Sequence, residues 1–218
     1  MSDTESTGNQ ESAALSELRR EAEAAAGAAD LHEQVRQLTL KALTEKRLPL
    51  GDAKAVLTAI TEGVGNGLAG RGGELREGLR QALSGLDQAV GSAAEAMTLT
   101  LREAVSQGRA FTEGELKTTL ERVRDLESQL VESVKAAAQQ SGGKLKEELE
   151  RLAEHMRTTG TDTGARIRQA LEALANGASA AAKAGQFGVR EVSETARDRL
   201  SQVASGVLAA LAESLRKK

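Results

Sequence analysis

The 218-residue chain has no cysteine, no tryptophan and no tyrosine. Without cysteine there are no disulfides, thiolate nucleophiles or cysteine metal sites, as suits a cytoplasmic protein. Phe111 and Phe187 are the only aromatic residues. Aromatic side chains dominate the burial energy of most cores, so thin apolar seams are expected here, with little from which to build a deep pocket. Isoleucine occurs only at Ile60 and Ile167, and proline only at Pro49. Strands prefer β-branched and aromatic residues, so an all-β chain is excluded. Long apolar runs are also missing. The longest uncharged stretch near the end, Leu200 to Ala212, is interrupted by Ser201, Gln202, Ser205 and Gly206. It falls short of the ~20 apolar residues that span a bilayer. Met-Ser-Asp-Thr-Glu-Ser at the start carries no basic or apolar region of a secretory signal. The expected location is the cytoplasm.

No sign of charge dominates: 29 basic residues face 32 acidic ones, a net charge of −3. Nothing global points to nucleic acid. Locally the balance shifts. Residues 1–30 carry seven acidic and two basic residues, and residues 166–218 five acidic and nine basic. The simplest account is a solvated acidic start and a final helix with cations near its C-terminal dipole.

What the chain has is Ala, Leu, Glu, Arg and Lys, which lose little freedom in a helix. The predicted fold class is all-α: several amphipathic helices in an elongated antiparallel bundle or in long helical hairpins, joined by glycine-rich breaks. Residues 1–11 are expected to be a disordered acidic tail and 12–48 an N-terminal helical segment. Residues 52–218 read as an elongated amphipathic region with breaks near 63–73, 107–112, 141–143, 158–164 and 185–188. Asp30 with Glu33, and Thr112 with Glu115, have capping-box spacing, and Asp52 is placed to cap the helix after Pro49. The face of the long segment runs through Leu75, Leu79, Leu83, Leu86, Val90, Ala93, Met97, Leu101 and Val105. It resumes at Leu116, Leu120, Val123, Leu126, Leu130 and Val134, then at Leu145, Leu149, Leu152 and Met156, and last at Leu200, Val203, Val207 and Leu211. Steps of three and four mark one helical face. They mix 4-4-3 with 4-3 spacing, which argues against a simple two-stranded coiled coil.

Motifs for chemistry are sparse. Gly65-Asn66-Gly67-Leu68-Ala69-Gly70 spells the dinucleotide pattern, which works only at a strand-to-helix turn, and no further strands are predicted. Gly63 with Gly67, and Gly160 with Gly164, are four apart, and both pairs are read as joints. His32 and His155 stand alone, without the spacing that places two ligands on one helical face. No catalytic residue, metal site or cofactor is expected.

The amphipathic runs Leu75–Val105 and Leu116–Val134, the Ala-rich Val134-Lys135-Ala136-Ala137-Ala138, and the lack of Trp, Tyr and Cys resemble phasins and related bacterial helical coat proteins. The resemblance implies a non-enzymatic protein whose helices lie on polyester granules. The residues themselves favour a non-catalytic helical protein acting through its apolar faces, by homo-oligomerisation or by binding another helical protein. Adsorption to a lipid or polyester surface, in the manner of a phasin or an apolipoprotein, is the alternative. Nucleotide binding through Gly65–Gly70 is a remote one. Phe111 and Phe187, each beside a glycine-containing joint, are expected to lock turns or anchor a partner.

Overall fold

The computed structural model describes residues 2–44, 53–70, 75–106 and 113–183. These form seven helices and no strand: α1 (Ser2–Ala25), α2 (Leu31–Thr44), α3 (Ala53–Ala69), α4 (Leu75–Ser106), α5 (Glu113–Gln140), α6 (Gly143–Thr159) and α7 (Asp162–Lys183). The fold is all-α. No helix among the described residues is long and apolar enough to cross a membrane. Two compact units can be distinguished. One is built from the described residues of 1–90 and 127–161, the other from those of 91–126 and 162–183.

In the first unit α3 is the central helix. It reaches α1 and α2, α4 through Leu68 at Gly78, α6 through Leu145 at Gly65, and α5 through a Lys54–Glu132 ion pair of 2.7 Å. Eleven of its 17 residues are buried. A helix that is apolar nearly all round must sit inside, and this one does. The expected break at 63–73 is therefore displaced, because α3 continues through Gly63, Gly65 and Gly67 to Ala69. Three glycines cost a helix roughly 3 kcal/mol. The buried Val56, Leu57, Ile60, Val64 and Leu68 are worth about 10 kcal/mol together, so burial wins.

The glycines also serve the packing. A Cβ on Gly63 would strike the Arg19 carbonyl and lie 2.8 Å from Ala22 Cβ. One on Gly67 would lie 2.6 Å from Ala26 Cβ. The Gly63/Gly67 pair is thus the close crossing of α1 and α3, where a flexible joint was expected. Arg19 of α1 meets Glu62 of α3 across the seam at 2.7 Å, and Lys41 of α2 meets Glu21 of α1 at 3.7 Å.

Other boundaries follow local chemistry. Asp30 caps α2, its Oδ1 accepting from the Glu33 N–H at 3.1 Å. The second half of the box goes elsewhere, since Glu33 takes Arg36 at 2.7 and 2.6 Å and Gln37 at 2.8 Å. Asp52 and Thr112 lie outside the described residues. The break at 141–143 is present: Gly143 adopts φ 57°, a left-handed conformation that favours glycine. So is the break at 158–164, where Gly160 at φ 81° ends α6. Breaks 107–112 and 185–188 lie outside the described residues. The stretch 2–11, expected to be disordered, belongs to α1. Extending an existing helix costs far less than starting one.

Long-range polar contacts tie α4 and α5 to the segment around α6 in the first unit. Arg76 meets Glu148 at 3.5 Å, while Thr161 donates to Glu127 at 2.8 Å.

Candidate functional site

Among the described residues, the predicted interaction face lies mostly in the interior. Leu79, Leu83, Leu86, Val90, Met97, Val123, Leu130, Leu145 and Leu149 are all buried. Leu75 and Leu152 are half-buried. Leu101, Leu116 and Leu120 fall in α4 and α5 at positions whose side chains lie outside the described residues, as do Leu200, Val203, Val207, Leu211, Phe111 and Phe187 altogether. The described part of the stripe closes on the chain's own helices, because thin apolar stripes bury most area against one another.

The Gly65–Gly70 pattern has no nucleotide-loop geometry. Residues 55–60 are helix, Gly65 and Gly67 sit inside α3, and Leu145 lies against Gly65. A phosphate loop needs backbone N–H groups turned outward between a strand and a helix, whereas these are spent within α3. His32 is half-buried and His155 exposed. No cluster among the described residues has the composition of a metal site. The charged residues of 144–157 form a solvated face apart from the half-buried Glu148, with Arg151 on Glu148 at 2.8 Å and Arg157 on Glu154 at 2.6 Å.

The feature that stands apart is in the second unit. Leu99 is 60% exposed, the one exposed large apolar side chain among the described residues. It lines a shallow cleft of about 250 Å³ between α4 and α7, with Glu95, Thr98, Arg102, Arg166, Gln169, Ala170 and Ala173. Arg166 closes one end. Its Nε donates to Asp162 Oδ2 at 2.6 Å and its Nη1 to both Glu95 oxygens at 3.2 Å. The hydrogen bond it donates to Asp162, with Glu95 adding its charge, raises the pKa of this guanidinium above its ordinary value. Gly91 makes room for it, since a Cβ there would lie 2.7 Å from Arg166 Cδ. Thr98, buried at the cleft floor, donates to the Ala94 carbonyl at 2.8 Å, so its hydroxyl is satisfied within the helix.

The periodic reading passed over this cleft. Leu99 lies two residues after Met97, about 200° round the helix from the stripe. A leucine on the polar side of an otherwise regular helix was the available signal. The partners on α7 carry none, as Ala170 and Ala173 are ordinary helix residues.

Residues 6–217 match the model of a family of unknown function, DUF6781. The chain belongs to that family. No curated protein and no solved structure matches it. The fold and the cleft are therefore what this member itself offers for a functional reading.

Proposed function

We propose that the protein is a non-catalytic helical interaction protein that associates with its own copies through an outward helix face. The observation that carries this reading is Leu99, exposed beside charged groups on α4 while the described stripe residues before it, Val90, Ala93 and Met97, are buried. A lone exposed leucine is ordinary on a protein surface. This one lies in a cleft with alanines beside it and charges of both signs at its edge, which suits a helix of matching chemistry. Several ion pairs on the helix faces support a structural role, being three or four residues apart and solvated. Lipid adsorption by the apolar stripe requires the first unit to open, since Leu79, Leu86 and Leu149 are at most 1% exposed. Closure of those stripes favours association between intact molecules.

Light scattering coupled to size exclusion at micromolar concentrations tests the reading. A mass that rises with concentration to a defined oligomer is expected. A constant monomer mass up to the highest soluble concentration overturns it.

A further inference from the structure

The geometry points to a two-fold symmetric homodimer in which α4 of one molecule pairs antiparallel with α4 of another, centred on Leu99, with Glu95 of each opposite Arg102 of the other. This inference rests on the self-association reading and names its surface and partner.

The argument begins with spacing. Glu95, Leu99 and Arg102 all line one cleft, and steps of four and three place them on one helix face. Glu95 and Arg102 are seven residues apart, about 10 Å along the axis. Their midpoint falls between Thr98 and Leu99, within half a residue of the leucine, about 0.8 Å. A two-fold axis at that point, perpendicular to α4, sets each Glu95 opposite the other molecule's Arg102. A symmetric interface must be self-complementary. An acid and a base placed evenly about an apolar residue meet that demand, and any parallel pairing would set like charges side by side.

The surroundings agree. Glu95 is 43% exposed and its bonds to Arg166 are long, at 3.2 Å, which leaves its carboxylate able to accept a second guanidinium. Arg102 is exposed. The pair of Ala170 and Ala173 beside Leu99 gives the incoming leucine a shallow bed without bulk. Two opposed leucines and two ion pairs form a small contact, of the size class of weak, transient association.

Sedimentation velocity of the full chain across 1–200 μM gives the test. The wild-type chain is expected to dimerise. Leu99→Asp is expected to weaken dimerisation at least tenfold. Glu95→Arg and Arg102→Glu each create two like-charge contacts across the axis and raise the dimer Kd about tenfold. The double variant Glu95→Arg/Arg102→Glu, made in an Arg166→Gln background so that the arginine introduced for Glu95 meets no like charge within its own molecule, restores pairing with reversed polarity and recovers most of the affinity. Circular dichroism of each variant checks that the helices persist, and Arg102→Ala replaces any variant that fails to fold. Three results overturn the inference. In the first, dimerisation is unaffected by all of these substitutions, which places self-association elsewhere and leaves the broader reading standing. In the second, the wild type is monomeric throughout, which removes both. In the third, the mass is monomeric and Leu99→Asp lowers the melting temperature, which makes the cleft a seat for another segment of the same chain.

Discussion

Gly63 and Gly67 show how much one missing methyl decides. Helix propensity alone says that alanine at either position gains about 1 kcal/mol. The structure sets the Arg19 carbonyl and the Ala22 and Ala26 methyls where the new Cβ would go. Overpacking of this kind costs about 1–3 kcal/mol, and carbonyls of a helix do not move aside cheaply. Gly63→Ala and Gly67→Ala are therefore expected to lower stability to urea by about 1–2 kcal/mol. Gly70 meets nothing within 4 Å, and Gly70→Ala is expected to be neutral or slightly stabilising. Equal gains at all three positions would remove the close crossing. Glu33 supplies a second prediction at this scale. Hydrogen bonding to Arg36, assisted by Gln37, holds its carboxyl at about 2, below the ordinary 4.5. A carboxyl whose pKa is lower in the folded state adds stability above its unfolded value, and that stability is lost as pH falls through the folded one. The melting temperature should fall from about pH 4.5 towards pH 2, and Glu33→Gln should flatten that fall. An unchanged acid slope in the variant would show that the Arg36 pairing contributes nothing.

Between elements, the α1–α3 pair depends on one buried charge. Glu62 is 7% exposed, its Oε2 meets Arg19, and its Oε1 is buried with no hydrogen-bond partner. Arg19 is itself 44% exposed, so the pair is only half desolvated. Arg19→Ala strands a buried carboxylate and is expected to cost about 1–3 kcal/mol in chemical denaturation. Arg19→Ala/Glu62→Leu should recover most of that, because a buried ion pair replaced by apolar groups is often neutral. A double variant no better than the single one would mean that Glu62 is not what Arg19 protects. The same pair of helices shows where sequence reasoning stopped. The spacing of Gly63 and Gly67 is visible, but a joint and a close crossing share it. Only the arrival of Ala22 and Ala26 on the other side distinguishes them, and those residues lie some forty positions upstream. Capping at Asp30 was legible because the donor and acceptor are three residues apart.

For the whole molecule, the question is which leucines face inward. Leu79 is 1% exposed and Leu99 60%. Leu79→Asp buries an unpaired charge, and thermal melting should show loss of cooperative unfolding in the first unit. Leu99→Asp should leave melting within about 0.5 kcal/mol of wild type, as surface substitutions do, while changing self-association. The reverse pattern would exchange core and surface.

The residues alone determined that the chain is helical and that its apolar side chains line single faces, because propensity and the three-and-four rhythm are local properties. They also placed the breaks at Gly143 and Gly160, where a positive φ is a local demand that glycine meets. Tertiary structure alone decided that the glycine-rich stretch after Ile60 belongs to the central helix, and that the described part of the stripe is spent inside the chain. It also decided that a leucine outside the stripe lines the cleft between α4 and α7. Each of these depends on what lies across the seam, and a stripe of leucine and alanine does not encode which other stripe will cover it.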